Sequence, residues 1–177
     1  MSIKTTDEIA FGQARLIVVM GATGCGKSTI GEKLSQRLNA AYIEGDDFHS
    51  ALSKAKMAAG IALNDDDRWP WLETLSKTMR NNNGKHVVSC SALKRAYRDC
   101  ITRNCNEPVL FVHLNGTKEL LASRLSIRQG HFMNTDLLDS QLETLEPPQS
   151  DEFSFTVDIN FSVQEIIEKI EHAILNQ

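Results

Sequence analysis

Short apolar runs alternate along the chain with longer stretches in which apolar residues recur at helical spacing. The first run, at 15–20, contains Leu16-Ile17-Val18-Val19-Met20 and predicts a buried strand, with a helix following to about 38. A short strand is predicted at Ala41-Tyr42-Ile43-Glu44. The segment 50–59 reads as helix and ends at Gly60. Asn64 is placed to cap a helix running through Trp71, Leu72, Leu75 and Met79, with Pro70 early in it and Asn81-Asn82-Asn83-Gly84 as its stop. Further strands are predicted at 86–90, 109–114 and 155–159. Helices are predicted at 93–102, after Thr117, at 135–145 and at 162–175, where Val163, Ile166, Ile167, Ile170 and Ile174 share one face. Strands and helices alternate throughout. The pattern therefore predicts an α/β fold, a five-stranded parallel sheet flanked by helices, with ligands beyond the carboxyl ends of the strands.

The turn after the first strand carries the densest chemistry. Gly21-Ala22-Thr23-Gly24-Cys25-Gly26-Lys27-Ser28 is a P-loop pattern between a strand and a helix. Such a loop turns successive backbone N–H groups inward onto phosphate oxygens, and the helix beginning at Thr29 adds its positive end. Lys27 can reach the β- and γ-phosphates of ATP, and the Ser28 hydroxyl can hold magnesium. The third strand lacks the terminal aspartate of motor and transporter ATPases, and no Asn-Lys-x-Asp guanine motif is present. Both absences point to a small-molecule kinase.

The residues after the other strands supply candidates for the acceptor side. Glu44-Gly45-Asp46-Asp47-Phe48-His49 puts three acids beside a phosphate site. Asp46 is the candidate to accept a hydroxyl proton, Glu44 to order water around magnesium, and His49 to bind substrate. Arg68 could fork onto a carboxylate or simply pair with a neighbouring aspartate. Lys94 and Arg98, four apart on a predicted helix, either bind an anionic group or form a solvated basic face. Arg124 and Arg128 precede the Gln129-Gly130 turn. There they suit a lid, about 129–149, that closes positive charge over ATP. That stretch has few apolar residues for its length, so it is expected to be mobile.

At 177 residues the chain suits one domain from 15 to 177, behind a loose tail at 1–14. The tail has no apolar h-region and reads as neither a secretory signal nor a transit peptide. A net charge of −4 argues against a nucleic-acid partner, and no apolar stretch approaches a membrane span. Cys25, Cys90, Cys100 and Cys105 lack CxxC spacing, as expected of free thiols in a reducing cytosol. Cys25 starts a helix and is a candidate for oxidation.

Taken together, these segments resemble the small P-loop gluconokinases, which are similar in fold to shikimate and nucleoside monophosphate kinases. The resemblance covers roughly 15–175. Its carriers are the phosphate loop, Gly45-Asp46-Asp47-Phe48-His49, Lys56-Met57, Leu63-Asn64-Asp65-Asp66-Asp67-Arg68 with Pro70-Trp71-Leu72, Cys90-Ser91-Ala92-Leu93-Lys94 with Tyr97-Arg98-Asp99, Arg128 with Gly130-His131-Phe132, and Gln141 with Glu143-Thr144-Leu145-Glu146. It implies ATP-dependent phosphorylation of D-gluconate to 6-phosphogluconate, feeding the pentose phosphate pathway, in a cytosolic and often homodimeric enzyme. It also implies Lys27, Asp46 and Arg128 as catalytic residues. His131 would join Asp46, His49, Arg68, Lys94 and Arg98 at the substrate. The family pattern usually has proline at Ser50, asparagine at Ser53 and often proline at Ala62, so this chain departs at all three. The alternatives are a kinase of shikimate or another aldonate, and a nucleotide-binding regulator without turnover. Asp46 and the two arginines speak against the regulator.

Overall fold

The sheet is parallel throughout, with strand order β2-β3-β1-β4-β5. Its strands are β1 (Leu16–Met20), β2 (Ala41–Glu44), β3 (His86–Ser89), β4 (Val109–Asn115) and β5 (Ser154–Asp158). The computed structural model describes residues 10–129 and 135–176. The helices are α1 (Lys27–Arg37), α2 (Ala51–Ala58), α3 (Asp65–Asn81), α4 (Arg95–Cys105), α5 (Lys118–Gln129), α6 (Thr135–Thr144) and α7 (Val163–Asn176). The α/β fold expected from the pattern is the observed one. Among the described residues no helix is long and apolar enough to cross a membrane.

The central strand β1 is fully buried and feeds two cores, because successive side chains leave opposite faces of a strand. Ile17 and Val19 pack with Leu34, Leu121, Ile166 and Ile170 on one face. Leu16, Val18 and Met20 pack with Leu72, Leu75, Met79 and Tyr97 on the other. At roughly 25 cal/mol per Å² of apolar surface, each such side chain contributes about 1.5–3 kcal/mol on burial. This rigid slab carries the loops at the strand ends.

Boundaries shift by a residue or two except at α4, which begins at Arg95 and runs on to Cys105. Asn64 caps α3 as expected and forms a full capping box with Asp67. Residues 10–14 differ from the loose tail expected. Phe11–Gln13 form a 3-10 turn, Ala14 is 2% exposed, and the Phe11 ring lies 5.2 Å from Phe153 and 5.4 Å from Phe155. One aromatic residue in a polar stretch is enough to dock it. Residues 1–9 of the expected tail lie outside the described residues.

Candidate active site

The loop between β1 and α1 takes the form its glycines permit. Gly26 stands at the α1 N-cap with φ of 96°, a left-handed conformation that costs a residue with a Cβ about 1 kcal/mol. The Lys27 ammonium folds back over the loop and donates to the Ala22 carbonyl at 3.3 Å. Cys25 is 1% exposed beneath the loop, so the expected oxidation site is a core thiol instead. All four cysteines are unpaired.

Beside the loop lies a cavity of about 180 Å³. Thr23 and Lys27 border it from the phosphate side, Asp46, His49, Arg68 and Trp71 from the acceptor side, and Ser91 and Leu93 from the end of β3. Leu137, Ser140 and Gln141 of α6 also reach it. A second groove, on the other side of the loop, is lined by Gly24, Cys25, Gly26, Thr29, Arg124 and Val163. The Arg124 guanidinium donates to the Ile159 carbonyl at 2.7 Å and the Cys25 carbonyl at 3.5 Å, which fixes it against the loop.

Asp46 is set by its neighbours. It follows Gly45, where a Cβ would stand 2.2 Å from the Ser89 carbonyl oxygen, so only glycine lets this turn lie against β3. The buried Trp71 indole N–H donates to the Gly45 carbonyl at 2.8 Å and locks the turn from α3. The Asp46 side chain is 69% exposed, open to the cavity, and lies 3.7 Å from His49 Nε2. Interaction with His49, helped by the charge of Lys27, holds its carboxyl below the usual range despite desolvation. His49 is buried, stacked on Trp71 with ring centroids 4.0 Å apart, and its Nδ1 has no hydrogen-bond partner among the described residues. A buried orphan of this kind beside a cavity is suited to a ligand hydroxyl.

Glu44 accepts hydrogen bonds from the Tyr42 hydroxyl at 2.8 Å and the Ser89 hydroxyl at 2.6 Å. Burial pushes its pKa up, but bonds from Ser28, Ser89 and Tyr42 outweigh this and keep it ionised. A carboxylate touching the P-loop serine hydroxyl fits a hydrated magnesium ion at the phosphates. Among the described residues no three His, Cys, Asp or Glu side chains gather to hold a metal alone. Such an ion would draw the rest of its shell from phosphate and water.

Arg68 does two things at once. Its Nη1 donates to the Tyr97 hydroxyl at 3.1 Å and lies 3.5 Å from Asp65, yet its side chain also borders the cavity. Lys94 stands behind it, bonded to both Asp65 oxygens at 3.0 and 2.9 Å, outside the cavity lining. Arg98 corrects the expectation most clearly. It is 1% exposed, forms a two-point pair with Glu152 at 2.5 and 2.9 Å, and donates to the carbonyls of Ala92 and Leu93. Ala92 has φ of 43°, a costly conformation without glycine. Arg98 therefore staples the strained turn that presents Ser91 and Leu93, and does not face the substrate. Helical spacing alone put Lys94 and Arg98 on one face, but Lys94 is the N-cap of α4, outside its helical turns.

The expected lid divides in two. Residues 130–134, including His131, lie outside the described residues, as does the Arg128 side chain. From Thr135 onward the segment is anchored, with Leu138 1% exposed in one core and Leu145 packed on the other. Glu146 closes it down: its N–H donates to the Leu93 carbonyl at 2.8 Å, and its carboxylate accepts from the Arg95 N–H at 2.8 Å. Trp71, Ser91 and Gln141 carry the family resemblance in sequence but were assigned no role at the site, and the cavity brings all three to it.

The family model described as shikimate kinase matches residues 23–174. A "Probable gluconokinase" of Dictyostelium discoideum is 46% identical over 170 residues, covering 89% of this chain and 85% of that protein. The thermosensitive gluconokinase of Escherichia coli (strain K12) is 42% identical over 162 residues, covering 89% and 86%. The crystal structure of a gluconokinase from Sinorhizobium meliloti 1021 matches with a TM-score of 0.86 and 40% identity, over 94% of each chain. With a phosphate loop and an acceptor cavity in contact, and likeness that runs nearly end to end, the chain belongs to the gluconokinase family within the shikimate-kinase-like P-loop proteins.

Proposed function

We propose that the protein transfers the γ-phosphoryl group of ATP to the terminal hydroxyl of D-gluconate, giving 6-phosphogluconate and ADP. The observation that carries this reading is the joining of Lys27 and Asp46 in one cavity with Arg68 and His49. The triphosphate lies in the loop under Lys27, with its nucleoside toward the groove that holds Thr29 and Arg124. Ser28 and, through water, Glu44 hold magnesium, which neutralises phosphate charge. Arg68 takes the gluconate carboxylate, and His49 Nδ1 meets a hydroxyl of the polyol. Lys94 supports Arg68 through Asp65 and Tyr97.

In the transfer, the acceptor oxygen forms a bond to the γ-phosphorus as the bond to the bridging oxygen of ADP breaks. The hydroxyl proton passes to Asp46 and then to solvent. A carboxylate held below its usual pKa is a weak base, so Asp46 orients the hydroxyl first and takes the proton late, once the hydroxyl has become acidic. Arg128 and His131 keep their assigned roles at the phosphates and the substrate. The enzyme works in the cytosol, and a homodimer is tested by light scattering. A coupled ADP-release assay over gluconate, other aldonates, shikimate and nucleosides tests the function. The reading expects gluconate to exceed every other acceptor in kcat/KM. Preference for shikimate, or no release with any acceptor, would reject it.

A further inference from the structure

Helix α6 sends one side chain into the phosphate loop. Gln141 Oε1 accepts the Thr23 backbone N–H at 2.7 Å, across 118 positions of sequence. The polarity of that bond fixes the amide. A backbone N–H can only donate, so the oxygen must face Thr23 and the NH₂ group must face away from it. Gln141 also borders the acceptor cavity together with Lys27 and Asp46. Its Nε2 has no hydrogen-bond partner among the described residues. The side chain thus presents two donors where the phosphate and acceptor sides meet.

Its support is rigid. Leu138, one turn before Gln141, is buried, and Glu146 ties the end of the segment to Leu93 and Arg95. A donor held this way costs no reorganisation during reaction, and an amide adds no charge that would repel ATP. The cavity already has a base, a cation and a candidate carboxylate ligand. Hydroxyls of Thr23, Ser91 and Ser140 border it as well, but a hydroxyl rotates freely, whereas the bond to Thr23 fixes the direction of the Gln141 NH₂ group.

We propose that Gln141 is a catalytic donor. Its Oε1 keeps the Thr23 amide in line while Nε2 hydrogen-bonds an oxygen of the phosphoryl group in transit. This rests on the kinase reading above. The amide makes no covalent bond and moves no proton.

The test compares wild type with Gln141→Glu and Gln141→Leu. Glutamate keeps an acceptor for Thr23 but replaces the donor by a negative charge, and leucine removes both. Loss of one such donor lowers kcat by about 10²-fold, with KM for gluconate and ATP changed by less than about threefold. Melting temperatures should stay within about 2 °C of wild type. A second readout needs no acceptor turnover. The affinity for ADP with magnesium and aluminium fluoride, relative to ADP alone, should fall at least tenfold in both variants. If wild type fails to phosphorylate gluconate, the kinase reading fails while this ratio still reports on Gln141. Unchanged kcat and an unchanged ratio would overturn the proposal. So would equal losses of affinity for ADP and for its fluoride complex, which would mark a purely structural clasp.

Discussion

Helices α2 and α6 both border the acceptor cavity, yet they are held in opposite ways. Within α2 only Ser53 is buried, while Leu52 is 66% and Met57 39% exposed. Polar tethers hold it: the Ser50 cap, Lys54 on the Asp47 carbonyl at 2.9 Å, and Lys56 on Asp67 at 2.7 Å. Helix α6 looks poorer in sequence but places Leu138 in the core and is clamped beyond its end by Glu146. Apolar content therefore misleads about anchoring; what counts is where the apolar groups point. The phosphate side of the cavity is backbone and firmly packed helix. The acceptor side is side chains, with Asp46, His49 and Arg68 on a locked turn and α3, and Met57 on the thinly held α2.

That division predicts the largest loss on the phosphate side. Lys27→Ala should lower kcat by about 10³-fold, since its charge serves the transferring phosphoryl group, with melting nearly unchanged. Residual activity above a tenth of wild type would detach the loop from the chemistry. Stability tells the two helices apart. Leu138→Ala should cost about 2–5 kcal/mol in denaturant unfolding, while Leu52→Ala should stay within about 0.5 kcal/mol. Similar costs would erase the contrast.

The sheet beneath both helices has its own pH signature. His113 is 2% exposed on β4, and burial, with the charge of Arg98, pushes its pKa down to about 4. The folded state thus binds fewer protons than the unfolded chain between pH 4 and 6.5. Stability should rise with pH across that window and fall on acidification, by about 3 kcal/mol in all. A His113→Gln variant should flatten this slope in chemical unfolding between pH 4.5 and 6.5. An unchanged slope would place its origin elsewhere.

The smallest effect belongs to the acceptor side. Arg68→Lys should raise the KM for gluconate about tenfold and leave the KM for ATP nearly unchanged, because lysine recovers only part of a forked pair. Equal changes would return Arg68 to Tyr97 and Asp65 as a structural residue.

Much of this was legible in the chain. The phosphate loop, the Asn64 cap and the strand-helix alternation are local signals, and each depends on residues within a few positions. Asp46 and His49 were legible because they follow a strand. Arg98 was not, since spacing cannot distinguish a residue facing a cavity from one buried against Glu152. Gln141 was visible as part of the resemblance, but its contact was not, because its partner Thr23 lies 118 positions away in the chain. Phe11 was missed because its docking depends on Phe153 and Phe155, brought near only by the sheet.

The central claim is that ATP and gluconate meet in this cavity and exchange one phosphoryl group. Phosphorus and carbon NMR of the product mixture, from purified protein with ATP, magnesium and gluconate, reads this directly. The account predicts ADP and a single phosphomonoester at C6 of gluconate in equal amounts. ADP with free inorganic phosphate, or a phosphoester at any other carbon, would contradict it.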